Sequence, residues 1–229
     1  MKKFISQIKI QVNEKTFLKD PYSSELGKRI IEKGIELIDR IGLEAFTFKK
    51  LATILNTNES SIYRYFESKQ KLLVYLISWY WNWLEYHLIF STANITDPKE
   101  KLQIAIRLIT KDVNKKESHD FIKLELLSRI VVSESSKAYL TKEVDAANKV
   151  GFYSSYKSFI ERISSIVLEL NPKFKHPHTL VSTIVEGVHH QKFFSSHLPS
   201  LTDVKKNDTD ELADFYTNMA TATILNFKK

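Results

Sequence analysis

Glu59, Ser60, Ser61, Tyr63 and Arg64 crowd into six residues, with a single aliphatic side chain, Ile62, among them. On a helix, Ile62 and Phe66 fall on one face and the five polar side chains on the other. The chemistry open to that outer face is recognition. Arg64 can donate to guanine O6 and N7 as a bidentate pair, or equally to a phosphate. Glu59 can accept from cytosine N4, or serve only as a favourable charge in a first helical turn. Ser60 and Ser61 offer hydroxyls that donate or accept.

The flanking residues supply what such a helix needs in order to be held. The stretch Phe46 to Leu73 reads FTFKKLATILNTNESSIYRYFESKQKLL. Thr47 suits an N-cap, and Phe48, Leu51, Ala52 and Leu55 then recur at helical spacing. Asn56 falls where the chain must turn, and Asn tolerates the left-handed conformation. Asn58 suits the cap of the second helix. Two short helices with a tight turn, the second showing a polar outer face, make a helix-turn-helix whose second helix fits a major groove. Lys49 and Lys50, on the first of them, either touch DNA backbone or form an exposed face.

The stretch resembles the N-terminal DNA-binding domain of the tetracycline-repressor (TetR) family of bacterial regulators. The residues that carry the resemblance are an amphipathic helix ending in Gly42, the helix start from Thr47 to Ala52, and Ile62-Tyr63-Arg64-Tyr65-Phe66 followed by Ser68-Lys69 and Leu72-Leu73. It covers roughly residues 24–75. This chain has Asn56 where the family often has Gly, and Ser60-Ser61 where it often has Gly-Thr. The resemblance implies an all-α fold: a three-helix head, a connecting helix, and a regulatory body. It assigns Thr47, Tyr63, Tyr65 and Lys69 to a phosphate clamp. Thr47 and Lys69 stand at helix N-termini, where free N–H groups attract anions. The competing readings are a core ring for Tyr65 and a merely solvated lysine for Lys69. Glu59, Ser60, Ser61 and Arg64, with Lys49, complete the expected DNA surface.

Composition agrees with a basic helical protein. The 229 residues carry a net charge of +7. The first 72 hold 14 Lys/Arg against 9 Asp/Glu, so most of the excess lies on the helix-turn-helix side. Such a balance suits a phosphate surface. There are five Gly, five Pro and no Cys, which excludes disulfides, thiolate catalysis and Cys-ligated zinc and is compatible with a cytoplasmic home. No targeting segment is evident, and the longest uncharged run, LLVYLISWYWNWL, is too short to span a bilayer. No cofactor or metal is expected: His176 and His178, and His189 and His190, lack helical pair spacing with a carboxylate.

Three domains are expected: an extension over 1–22, a DNA-binding head over 23–70, and a body over 71–229. Residues 8–18 alternate around Asn13-Glu14, which predicts a small hairpin with Ile8, Ile10, Val12 and Phe17 on one face. About nine helices are expected, near residues 25–41, 47–55, 58–66, 68–91, 99–114, 118–134, 141–170, 177–197 and 211–226. The body concentrates aromatics. Trp79, Trp83, Tyr153 and Tyr156, with His87 or His119 as polar anchor, read either as plain core or as the wall of a site for a small apolar or aromatic effector. Val181, Ile184 and Val188, and Phe215 and Met219, suit either a protomer core or a two-fold dimer interface. The function expected is a homodimeric transcriptional regulator on a palindromic operator in double-stranded DNA, a repressor released by its effector, with no membrane role and no enzymatic one. The rivals are a helical enzyme and a protein-binding adaptor with a basic accessory head. Salt-sensitive DNA binding separates the adaptor from the regulator.

Overall fold

A computed structural model describes residues 10–113, 118–206 and 208–226, and over these the protein is all-α apart from one two-residue strand pair. Eleven α-helices occur among the described residues. The head is α1 (Glu25–Ala45), α2 (Phe48–Leu55) and α3 (Glu59–Tyr63), followed by α4 (Lys69–Thr92). Next come α5 (Pro98–Thr110), strands β1 (Ser118–His119) and β2 (Ile122–Lys123), α6 (Leu124–Glu134), α7 (Ser136–Tyr139) and α8 (Val144–Lys149). The chain ends with α9 (Ser154–Leu170), α10 (Pro177–His197) and α11 (Thr209–Leu225).

Two compact units divide the chain, Met1–Asn82 with Val113–Ser155, and Trp83–Asp112 with Tyr156–Lys229. The division falls inside α4, and within the first unit α6 and α7 fasten to the head by polar bonds. Arg129 grips both carboxylate oxygens of Asp39 at 2.8 and 2.7 Å and also reaches Glu125 at 2.7 Å. Lys123 pairs with Glu36 at 2.5 Å. Buried Glu134 accepts the Leu43 N–H at 3.2 Å, and Lys137 lies 2.8 Å from Glu134 and 3.4 Å from Glu44. The apolar layer beneath these bonds holds Ile30, Ile31, Ile35 and Ile38 of α1 and Leu127, Ile130 and Val131 of α6.

Three expectations are corrected. Residues 10–18 form no strand. Asn13 instead caps a single 3-10 turn over Glu14–Thr16, its side chain accepting from Lys15 N, while Ile8 lies outside the described residues. The helix expected over 118–134 begins with a tight hairpin, His119 facing Ile122, turned by Asp120 at φ 56°. The helix expected over 141–170 is split in two by Gly151 at φ 84°. The first helix breaks at Gly42, as expected: Gly42 takes φ 72°, ψ 162°, and one separate turn follows to Ala45.

In the second unit α5, α9, α10 and α11 bury Ile106, Phe159, Val167, Ile184, Val188 and Tyr216. Gly187 lets Tyr216 lie against α10: a methyl group there would stand 2.4 Å from the Tyr216 hydroxyl. Ion pairs Lys101–Glu169 (2.6 Å) and Arg162–Glu85 (2.9 Å) edge this unit.

Candidate nucleic-acid interface

The helix-turn-helix is fixed by caps at each of its corners. The Thr47 hydroxyl accepts from Lys50 N at 3.2 Å. Asn56 sits at φ 52°, ψ 52°, and its N–H closes α2 on the carbonyls of Ala52 and Thr53. Asn58 Oδ1 accepts three hydrogens, from Ser61 N (2.9 Å), Ser60 Oγ (2.7 Å) and Ser61 Oγ (2.7 Å). A five-residue helix is marginal alone, so this cap and the fully buried Ile62 and Phe66 hold α3 in place.

The expected DNA-facing residues separate into two groups. Thr47, Lys49, Ser60, Tyr63 and Arg64 are exposed, and Glu59 and Ser61 are half-buried at the start of α3. Tyr63 is 47 % exposed and its ring lies edge-on to Phe48 at 5.0 Å. Tyr65 and Lys69 are different. Tyr65 is buried, and its hydroxyl bonds the Ser24 hydroxyl at 2.6 Å at the cap of α1. It is the core ring that its apolar neighbours allow. Lys69 Nζ donates to three carbonyls at the α1–α2 corner, Leu43 at 2.9 Å, Glu44 at 3.1 Å and Phe46 at 3.3 Å. An ammonium has three N–H donors, and all three are committed here to the negative end of α1. As placed, Lys69 is a pin rather than a free cation.

The other cations of the head sort by the same test. Lys28 pairs with Glu25, Lys33 with Glu36, and Lys71 with Glu67. Arg29 donates to the Leu55 carbonyl at 3.2 Å and Lys50 to that of Ala45 at 2.7 Å. Lys15, Lys19, Arg40, Lys49 and Arg64 have no carboxylate or carbonyl partner among the described residues. The charge available for phosphate is therefore a subset of the formal excess. Sequence spacing cannot identify that subset, because capping of carbonyls by lysine and arginine depends on tertiary approach.

The expected effector residues split between the two units. In the first, Trp79 is fully buried, donates its indole N–H to the Tyr22 hydroxyl at 3.1 Å, and lies edge-on to His119 at 5.4 Å. Burial pushes Tyr22 up to about 12 and holds His119 below the usual imidazole range. Both His119 ring nitrogens lack a hydrogen-bond partner among the described residues, so a neutral imidazole there has one donor and one acceptor unused. The Tyr153 hydroxyl is taken by the Ala138 carbonyl at 3.0 Å. In the second unit the Trp83 and His87 rings meet at a tilt with centroids 4.4 Å apart, and the Tyr156 hydroxyl donates to Glu186 at 2.9 Å. Sequence reasoning missed Tyr22, which no periodic signal connects to Trp79.

The expected interface residues also divide. Val181, Ile184 and Val188 are buried within the second unit and fill its core. Phe215 is 56 % exposed and Met219 half-buried; Phe215 and Leu225 leave apolar surface on the outer side of α11. No helix among the described residues is long and apolar enough to cross a membrane, and no group of three or more potential metal ligands occurs among them.

Residues 30–76 match the family model of bacterial regulatory proteins, tetR family. A comparison with curated proteins found no match. Among solved structures, the chain is similar to AibR in complex with isovaleryl coenzyme A and operator DNA, at 15 % identity and TM-score 0.58, covering 84 % of this chain and 97 % of that one. It is similar to the fatty acid degradation regulator FadR from Bacillus halodurans, at 14 % identity and TM-score 0.59, covering 92 % and 97 %. It is also similar to the superantigen PfiT, at 15 % identity and TM-score 0.57, covering 88 % and 97 %. At such identities the likeness is one of fold, and the argument for function has to come from the site.

Proposed function

Since the chain carries the DNA-binding head of the TetR family of bacterial regulators, we propose that it is a cytoplasmic, homodimeric transcriptional regulator. It binds a palindromic operator and is released by a small apolar or aromatic effector. The observation that carries this reading is α3: a helix capped by three bonds to one Asn58 oxygen, presenting Arg64, Tyr63 and Ser60 outward. Arg64, Ser60, Ser61 and Glu59 read base edges, and Thr47, Lys49 and Tyr63 hold phosphates. Tyr65 and Lys69 hold the head together instead. The chemistry is binding and not catalysis, so we read the chain as a regulator rather than an enzyme.

Two further features support the reading. The outer side of α11, with Phe215 and Leu225, offers an apolar strip for a two-fold partner. The first unit holds a buried Trp79–His119 pair with unused imidazole donor and acceptor, the polar anchor an apolar effector needs. The AibR structure, which holds both isovaleryl coenzyme A and operator DNA, is consistent with an effector-responsive regulator of this fold. The test is titration of labelled duplex DNA at several salt concentrations. Affinity that falls linearly on a log–log plot is expected. Affinity for duplex that is absent, or indifferent to salt, overturns the proposal and favours a protein-binding adaptor.

A further inference from the structure

Lys19 lies where the segment ahead of α1 meets the end of the recognition helix. The Leu18 N–H donates to the Tyr65 carbonyl at 2.8 Å, so the residue before Lys19 is tied to the residue after Arg64. Lys19 is exposed, and its Nζ stands 5.2 Å from the centroid of the Tyr65 ring. That ring is itself fixed by its bond to Ser24.

The segment is not a loose arm over these residues. Thr16 is buried, and its hydroxyl donates to the Asn13 carbonyl at 2.7 Å. Phe17 packs edge-on to Tyr75 at 6.0 Å. Asp20 accepts from Tyr22 N at 2.9 Å. Pro21 crosses Gly27 so closely that a methyl group at Gly27 would stand 2.3 Å from the Pro21 carbonyl oxygen. Lys19 is thus a cation at a fixed place beside α3. An aromatic face holds an ammonium without cancelling its charge, as a carboxylate would. By contrast, Lys69, Lys50 and Arg29 have spent donors on carbonyls.

The geometry points to Lys19 as a phosphate contact of the DNA-binding surface. With Lys49 and Arg64 it is a third cation of that surface, supplied from outside the residues 30–76 that match the family model. The ligand is the backbone phosphate of duplex DNA, and the contact carries no sequence information. The inference rests on the DNA-binding reading above, and the experiment separates the two.

A fluorescein-labelled random-sequence duplex is titrated with the full chain between about 50 and 200 mM salt. Lys19→Ala, Lys19→Arg and Arg64→Ala are compared with the unaltered protein. Lys19→Ala should lower the steepness of the log–log salt dependence by about 0.9 per protomer and leave the thermal midpoint unchanged, while Lys19→Arg keeps the full slope. A Lys19→Ala slope equal to that of the unaltered chain, with Arg64→Ala reducing it, overturns the contact and leaves the DNA-binding reading standing. An unaltered chain whose binding does not depend on salt overturns both.

Discussion

Lys69→Ala separates a pin from a phosphate clamp. The ammonium donates to three carbonyls at 2.9, 3.1 and 3.3 Å, two of them belonging to the buried residues Leu43 and Phe46. A hydrogen bond to a charged group is worth about 1.5–3 kcal/mol net. The 3.3 Å bond is long, and water can reach the exposed Glu44 carbonyl once the ammonium is gone. Full additivity therefore does not hold, and a loss of about 2–3 kcal/mol is expected. For a chain of this size that lowers the thermal midpoint by about 4–12 °C. Because all three donors are engaged within the protein, the salt slope of DNA binding should not change. The assay pairs a thermal melt followed by circular dichroism with the salt titration of duplex binding. An unchanged melt together with a slope lower by about 0.9 would refute the reasoning and return Lys69 to the backbone clamp.

Burial holds His119 below the usual imidazole range and His189 down at about 3. The unfolded chain then takes up protons below about pH 6.5 that the native chain refuses, so stability is present at neutral pH and is lost as pH falls. His189 alone should cost about 2 kcal/mol at pH 5, and the melt should drop between pH 7 and 5; a midpoint flat over that range contradicts this. Phe215→Lys, on the exposed side of α11, should give folded monomers by sedimentation, whereas Ile184→Glu should unfold the second unit because Ile184 is core. A folded Phe215→Lys dimer would move the interface off α11.

Much of the head was legible because each element there has a local cause. Thr47, Asn56 and Asn58 occupy the cap and turn positions that their side chains suit, and the apolar spacing of α1 and α2 is unambiguous. The errors have a different character. Asn13-Glu14 can turn a hairpin or open a 3-10 turn, and the second wins because Asn13 is also held by the carbonyls of Val150 and Gly151, far away in the chain. The hairpin at His119 depends on Asp120 accepting a positive φ, which no periodicity announces. On α11 both faces are apolar, so spacing could not choose between Leu212, Phe215, Met219, Ala222 and Leu225 and the buried set Leu212, Ala213, Tyr216, Ala220 and Ile224.

The site was readable to the same depth and no further. Residue type and exposure pointed to Arg64, Tyr63, Ser60 and Lys49, all of which face outward. Which cations stay uncommitted was beyond reach, since Lys69 is committed, and Lys19 placed, by contacts over more than twenty residues of separation. The aromatic groups were legible as a concentration of rings but not as pairs, because ring pairing is set by how helices cross.

The central claim is that α3 reads DNA on behalf of a two-fold dimer. Selection of bound fragments from a random duplex pool, followed by sequencing, tests it most directly. The enriched sites should be inverted repeats with half-sites about one helical turn apart, and exchanging Ser60, Ser61 and Arg64 should change the half-site while the folded state survives. A pool that returns no enriched sequence, or the same half-site after those exchanges, would contradict the account.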